Sequence, residues 1–349
     1  MTHKSTTSPG PGGGATDPLP GTVADWFARA TWHRPPWTAG ELASLKGGRR
    51  VAVVLPALDE AETVGGVVSA FLPLTRAGEG SGALVDEILV MDSGSTDDTA
   101  AVARAAGARV VARQDVLPGL APLPGKGEVM WRALAATDAD LVVYADADLV
   151  DVDGSLVVAL LGPLLTDPGV GFVKAFYDRP LRIGASGADD GVRSGGGRVT
   201  ELLARPAIAR FAPELAGVIQ PLGGEYAART DVLRAVPFAS GYAVEIGLLL
   251  DVVDRFGLDA LAQVDVGVRK HRHRDLLSLG RTATEILLAL ASRRGEGVPP
   301  APDVRLVQFD REPDGHWTPE SAEITVGDRP PMAQVLGMPA RAGMGPSAA

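Results

Sequence analysis

The sequence predicts an open, doubly wound α/β sheet whose strands are mostly parallel, and three observations carry that prediction. Short β-branched runs alternate with Ala-rich helical stretches over residues 51–148. The runs are apolar throughout rather than alternating, as strands covered on both faces must be. Several of them end in clusters of Asp, Glu and Ser, which such a sheet gathers on its carboxyl edge, where ligands bind. With 349 residues, 46% of them hydrophobic, the chain suffices for one large α/β domain, or one domain with a smaller appendage.

Taken in order, residues 1–22 are polar and low in complexity, with Pro-Gly-Pro-Gly-Gly-Gly at 9–14, and are expected to be disordered. They lack the apolar stretch of a signal peptide. Ala24–Ala30 suits a short helix. Val51–Leu55 suits a central strand that Pro56 stops, and helical spacing follows over Glu62–Leu72. Ile88–Met91 is the next buried strand. Its end, Asp92-Ser93-Gly94-Ser95-Thr96-Asp97-Asp98-Thr99, joins turn residues to a helix N-cap signal. Arg109–Ala112 forms a third strand, Glu128–Ala136 a helix, and Val142–Tyr144 a fourth strand rising to Asp146-Ala147-Asp148. Strand and helix alternating in this way build a right-handed doubly wound sheet.

The second half is less regular. Val170–Tyr177 and Leu261–Val268 read as strands and Val244–Phe256 as an amphipathic helix. Val199–Phe211 is helical in pattern but interrupted at Pro206, and Leu276–Ser292 is the last long helix. Beyond it the Pro-rich chain predicts an extended tail packed on the body or on a partner subunit.

Composition excludes several classes. A net charge of -10 argues against a general nucleic-acid binder. With no cysteine there is neither a thiolate nucleophile nor a zinc–thiolate site. The apolar runs are too short to span a bilayer, so a soluble, cytoplasmic protein is expected. Pro124-Gly125-Lys126-Gly127 resembles part of a P-loop, but Leu120 and Gly127 stand where Gly and Ser/Thr are required. No Gly-x-Gly-x-x-Gly follows the first strand. Val150, Asp151 and Val157 break an EF-hand pattern after Asp146.

Three constellations remain. Pro56-Ala57-Leu58-Asp59-Glu60, Asp92–Asp97 and Asp146-Ala147-Asp148 close three strands at one sheet edge. Asp-x-Asp there is either a solvated strand end or a site for a hard divalent cation holding a diphosphate. The order and spacing of the three strand ends resemble GT-A glycosyltransferases. Arg269-Lys270-His271-Arg272-His273-Arg274 concentrates cations in an acidic chain, either as a surface turn or as a metal-ligating imidazole beside diphosphate clamps. Gly195-Gly196-Gly197-Arg198-Val199-Thr200-Glu201 is either a capped flexible loop or an anion cradle at a helix N-terminus.

Together with Pro124–Glu128, Pro221-Leu222-Gly223-Gly224-Glu225-Tyr226 and Val244-Glu245-Ile246-Gly247, these segments resemble the glucosyl-3-phosphoglycerate synthases from about Trp26 to Ser292. Asp328-Arg329-Pro330-Pro331-Met332 resembles the tail of that family. The resemblance implies a GT-A type, doubly wound and mostly parallel sheet with a smaller C-terminal acceptor-binding part. It implies a nucleotide-sugar-binding half over residues 23–153, an acceptor-binding half over 154–292 and an extended tail over 293–349.

The activity implied is retaining, metal-dependent transfer of glucose from UDP-glucose to the 2-hydroxyl of 3-phosphoglycerate, with Mg²⁺ or Mn²⁺ and a homodimer. Pro56, Ala57, Leu58, Glu60, Ser93 and Lys126 would hold the uridine, and Asp146 the ribose or sugar. Asp148 and His271 would bind the metal, Glu245 the glucose, and Arg269 and Arg274 the diphosphate. Gly197, Arg198, Val199, Thr200 and His273 would grip 3-phosphoglycerate, with Leu222 and the glycines after it lining the acceptor hydroxyl.

Three positions depart from the family pattern: Asp59 for the usual Asn, Ala147 for Ser, and His273 for an Asn that helps bind the acceptor. Rival readings are a GT-A enzyme with another donor, such as GDP-mannose or GDP-glucose, or with a polyprenyl phosphate acceptor. A further rival is a nucleotide-sugar-binding regulator without turnover.

Overall fold

A computed structural model of the chain describes residues 19–76, 82–178, 197–268, 276–295, 303–314 and 316–338. The strands are β1 (Thr31–Trp32), β2 (Val51–Ala57), β3 (Glu87–Asp92), β4 (Arg109–Ala112), β5 (Leu141–Tyr144), β6 (Phe172–Asp178), β7 (Tyr226–Arg229), β8 (Phe238–Ala239), β9 (Leu261–Val268), β10 (Asp303–Arg311), β11 (Trp317–Thr325) and β12 (Asp328–Arg329). The helices are α1 (Gly21–Ala30), α2 (Ala39–Lys46), α3 (Val64–Phe71), α4 (Thr99–Ala105), α5 (Lys126–Ala136), α6 (Ser155–Thr166), α7 (Arg205–Phe211), α8 (Thr230–Arg234), α9 (Val244–Phe256), α10 (Leu276–Arg294) and α11 (Met332–Val335).

One sheet spans both halves, in the order β1-β9-β6-β7-β5-β2-β3-β4. Seven strands run the same way and β7 alone is antiparallel, wedged between β5 and β6. The expected division at residue 153 therefore does not split the sheet. Strand order reverses between β2 and β5, the switch point at which a crevice opens beyond the carboxyl ends. Alternate residues of β2 feed two cores. Ala52 and Val54 face the layer of α5 and α9, while Val51, Val53 and Leu55 face that of α3 and α6.

Four expectations change. Pro56 does not end its strand, because β5 pairs only with Val51–Val54; Pro56 sits opposite Met91 beyond that ladder, where its missing N–H costs nothing. Pro206 does not break its helix. A π turn over Thr200–Ala204 precedes it, with the Arg205 N–H reaching back to the Thr200 carbonyl, so the proline enters at the first turn of α7. The first helix starts at Gly21, inside the expected tail.

Residues beyond 293 are not simply extended. α10 runs through Arg294, β10 and β11 form a nine-pair antiparallel hairpin, and β12 pairs with β8 on the body. This last contact is fixed by a buried ion triad. Glu128 accepts from Arg132 at 2.6 Å and from Arg329 at 2.6 and 2.9 Å, and the Trp131 indole donates to the Pro330 carbonyl at 2.8 Å.

Candidate active site

The first two strand ends are tied to each other before any ligand is considered. Ser93 N–H donates to the Ala57 carbonyl at 2.8 Å, and Thr99 Oγ1 accepts from Glu60 N–H at 2.7 Å. Asp59 takes a positive φ of 55°, a conformation that Asp and Asn tolerate better than other side chains. There its carboxylate accepts from Thr96 N–H at 2.7 Å, while Ser95 Oγ accepts from Asp59 N–H at 3.0 Å. The Asp that replaces the family's Asn thus has a local structural role. Pro56, Ala57, Leu58, Glu60 and Ser93 all lie on this latched rim, with Leu58 exposed.

Asp146 and Asp148 follow β5 at the same edge. Both are half-buried, whereas Ala147 between them is buried in the α3/α6 core with Ala145 and Leu149. The side chain at 147 therefore faces away from the carboxylates, and Ala in place of Ser is without consequence for them. Two hard oxygen donors on one side of a strand end suit Mg²⁺ or Mn²⁺. Among the described residues no set of three or more candidate ligands is assembled. His271 lies outside them, as do His273, Arg269 and Arg274.

Lys126 enters from the start of α5. Its ammonium meets Asp146 Oδ1 at 2.5 Å and Glu245 Oε1 at 3.0 Å, with the Lys126 side chain 16% exposed. Burial alone would lower its pKa; the carboxylates of Asp146, Glu245 and Glu225 outweigh that and hold it well above the ordinary lysine value. The P-loop-like glycines around it answer to packing instead of phosphate. A Cβ on Gly127 would lie 1.8 Å from the Ala239 carbonyl, and one on Gly125 2.7 Å from that of Ser240. Gly125 also has φ +99°.

Two buried charges escaped the sequence reading. Lys174, 2% exposed, stands in the middle of β6, and Glu225, fully buried, stands just before β7. Lys174 Nζ donates to the Gly223 carbonyl and lies 5.1 Å from the centre of the Tyr226 ring. Burial pulls the Lys174 pKa down and pushes that of Glu225 up, each moderated by the opposite charges around it. Both carboxylate oxygens of Glu225 are without a hydrogen-bond partner among the described residues. The available signal was a lysine inside Phe172-Val173-Lys174-Ala175-Phe176, since Lys is almost never fully buried unless paired.

Among the residues expected to face the acceptor, Leu222 is half-buried on the turn into β7. Gly197, Val199 and the exposed Arg198 open the helical segment, and Thr200 is buried at the first position of the π turn. π turns recur at functional sites. Gly195 and Gly196 lie outside the described residues. A cavity of about 760 Å³ opens at the opposite, amino edge of the sheet, beside Asp138, Asp140, Arg229 and Arg234. Its arginines are already engaged: Arg229 forks onto Asp231 at 3.0 and 3.2 Å, and Arg234 donates to the Leu134 carbonyl at 2.7 Å.

Comparison with known proteins establishes the family and the fold. The sequence profile of "Glycosyl transferase family 2" matches residues 52–181. A glucosyl-3-phosphoglycerate synthase of Mycolicibacterium paratuberculosis is 50% identical over 326 residues, covering 93% of this chain and 95% of its own. The crystal structure of the Mycobacterium tuberculosis synthase with Mn²⁺, UDP-glucose and phosphoglyceric acid superposes with a TM-score of 0.76 at 48% identity, covering 87% of this chain and 98% of that one. Another structure of the same synthase, with Mg²⁺ and UDP, gives 0.76 and 48% over 88% of this chain and 99% of that one. The mostly parallel sheet with its one antiparallel strand is the GT-A arrangement anticipated from the sequence. The chain belongs to the glucosyl-3-phosphoglycerate synthase family of glycosyltransferases.

Proposed function

We propose that the protein transfers glucose from UDP-glucose to the 2-hydroxyl of 3-phosphoglycerate with retention of configuration. The observation that carries this reading is the charged floor at the carboxyl edge, where Lys126 bridges Asp146 and Glu245 directly beneath the Gly223–Gly224 turn. The latched rim of Pro56–Glu60 and Ser93 receives the uridine, and Glu245 accepts from a glucose hydroxyl. Arg198 forks onto the acceptor phosphate and Thr200 donates to it. The acceptor hydroxyl approaches along the backbone of Leu222 and the glycines, and His273 completes that side. The bond from C1 to the departing phosphate breaks as the bond to the acceptor oxygen forms on the same face, and the hydroxyl proton passes to the leaving phosphate. Asp148 and His271 would hold Mg²⁺ or Mn²⁺, which supplies neutralisation of the charge growing on the diphosphate, while Arg269 and Arg274 flank it.

We further assign the active form as a homodimer. In β10, residues 304, 306 and 308 turn toward the body, where Gln308 donates to the Leu277 carbonyl at 3.1 Å. Val307 and Phe309 stand on the other face, 48% and 58% exposed, opposite Ser321 and Pro319, with Trp317 at 64% beside them. An apolar stripe on the exposed face of this hairpin suits a second copy of the chain. No helix among the described residues is long and apolar enough to cross a membrane, and a cytoplasmic location fits a reaction between two charged phosphates.

The direct test is UDP release by purified protein with UDP-glucose, Mg²⁺ and 3-phosphoglycerate. Release above a no-acceptor control, abolished by a chelator and restored by Mg²⁺ or Mn²⁺, is expected. No release above that control refutes the reading, and greater turnover with GDP-mannose or GDP-glucose, or with a polyprenyl phosphate, would replace it with another GT-A specificity.

A further inference from the structure

We propose that Lys174 is a positioning residue for the transfer step: through the Gly223 carbonyl it sets the Leu222–Gly224 turn, and so the acceptor, against the donor floor. The proposal rests on the reading that this turn lines the acceptor.

Desolvating an ammonium is unfavourable unless its surroundings compensate, and a parallel strand packed on both faces gives little compensation of its own. Lys174 nevertheless sits between Val173 and Ala175, both fully buried. Its Nζ does not reach solvent. It donates to the Gly223 carbonyl above the face of Tyr226. The turn is therefore held from β6 at three points. Besides the lysine, Ala175 N–H donates to the Glu225 carbonyl at 3.0 Å, and Gln220 Nε2 donates to the Tyr177 carbonyl at 2.5 Å.

The opposite side of the same turn rests on the donor floor. A Cβ on Gly224 would lie 2.5 Å from Asp146 Oδ2 and 2.6 Å from Lys126 Nζ. The turn is thus clamped between two lysines, one carrying the donor carboxylates and the other the peptide that faces the acceptor. Any shift of Gly223 away from Lys174 changes the separation of the two substrates, to which a transfer rate is steeply sensitive.

Burial disfavours the charged lysine, and the carboxylates of Glu245 and then Glu225 oppose that loss. The Glu225 carboxylate is buried without a hydrogen-bond partner among the described residues, within electrostatic reach of Lys174, Lys126 and Asp146.

The test compares wild type with Lys174→Met, and with Lys174→Met/Glu225→Gln, in which both charges are removed together. Each protein is assayed for transfer to 3-phosphoglycerate, for UDP released from UDP-glucose without acceptor, for UDP affinity by calorimetry and for thermal stability. A positioning role predicts a transfer kcat lower by about 100-fold. It also predicts a ratio of donor hydrolysis to transfer at least tenfold higher, and UDP affinity close to that of wild type. Both variants should behave alike, because both lose the bond to Gly223. Transfer and hydrolysis falling in proportion, or transfer retained in a folded variant, would overturn the proposal, as would failure of both variants to fold. Absence of transfer by wild type itself would instead remove the functional reading on which the proposal rests.

Discussion

Gly224→Ala is the sharpest single probe of the site. Its φ lies outside the left-handed region, so alanine adopts the backbone conformation without strain. The obstacle is the pair beneath it. The added carbon would stand 2.5 Å from Asp146 Oδ2, and an ordinary contact begins near 3.4 Å, so the carboxylate or the turn must retreat by about 0.9 Å. Lys126 must shift as well, because its Nζ is itself 2.6 Å from the same point while tied to Glu245. A displacement near 1 Å between a donor carboxylate and the acceptor turn costs roughly 100-fold in rate, or about 2.7 kcal/mol in the barrier. The assay is steady-state UDP release with both substrates and Mg²⁺, beside a thermal melt that establishes folding. Gly223→Ala is the contrast: its added carbon meets nothing nearer than 3.6 Å and points at the Gln220 and Ala175 carbonyls, so a much smaller loss is expected. A folded Gly224→Ala enzyme with kcat/KM within threefold of wild type would refute the contact between turn and donor floor.

Three further perturbations separate binding, tail packing and titration. Arg198→Ala should raise the acceptor KM by roughly 10- to 100-fold, the scale of one charge-assisted hydrogen bond, with far less change in the donor KM; equal effects would move Arg198 out of the acceptor site. Arg329→Ala strips one of two arginines from the fully buried Glu128 and should cost about 3 kcal/mol in a denaturant melt, the low end for a broken buried pair because Arg132 remains. Glu285→Gln addresses pH. Burial raises the Glu285 pKa in the fold, although its carboxylate accepts from Tyr242 N–H at 2.6 Å. The native state therefore binds more protons than the unfolded chain between the ordinary carboxyl range and the raised value, and wild-type stability falls as pH rises through that window. Glutamine keeps an acceptor for Tyr242 but removes the charge. The variant should melt higher than wild type at pH 7, with the gain vanishing below pH 4; a gain independent of pH would contradict the assignment.

The legible parts of this chain are those in which one local pattern meets one physical demand. Val51–Leu55 reads as a central strand because nothing but a sheet buried on both faces wants such a run, and Val244–Phe256 reads as a helix to the residue. Asp146-Ala147-Asp148 was legible as a strand-end pair because alternation puts 147 on the other side. Pro56 misled because its tolerance depends on how far β5 extends alongside, which is information about another strand. Pro206 misled for a similar reason: a π turn has no signal in local periodicity. Lys174 and Glu225 were hidden because their meaning depends on the Gly223 carbonyl and on the charges of Lys126 and Asp146, brought near by strands far apart in sequence.

The antiparallel strand is what makes such a site possible. In an all-parallel sheet every strand presents its carboxyl end to the crevice, and the turns that begin strands lie at the far edge. β7 runs the other way, so its beginning, Gln220–Glu225, arrives at the ligand edge. Because β7 lies between β5 and β6, its entry turn has the Asp146 carboxylate on one side and the Lys174 ammonium on the other. A peptide placed there touches the donor site through Gly224 and is held from β6 through Gly223. A side chain at 224 would displace the carboxylate and ammonium below it, and the lysine at 174 holds the carbonyl beside it. On the proposed reading, one reversed strand of four residues joins the donor site to the acceptor site, and the charges around it bear on how closely the two can approach.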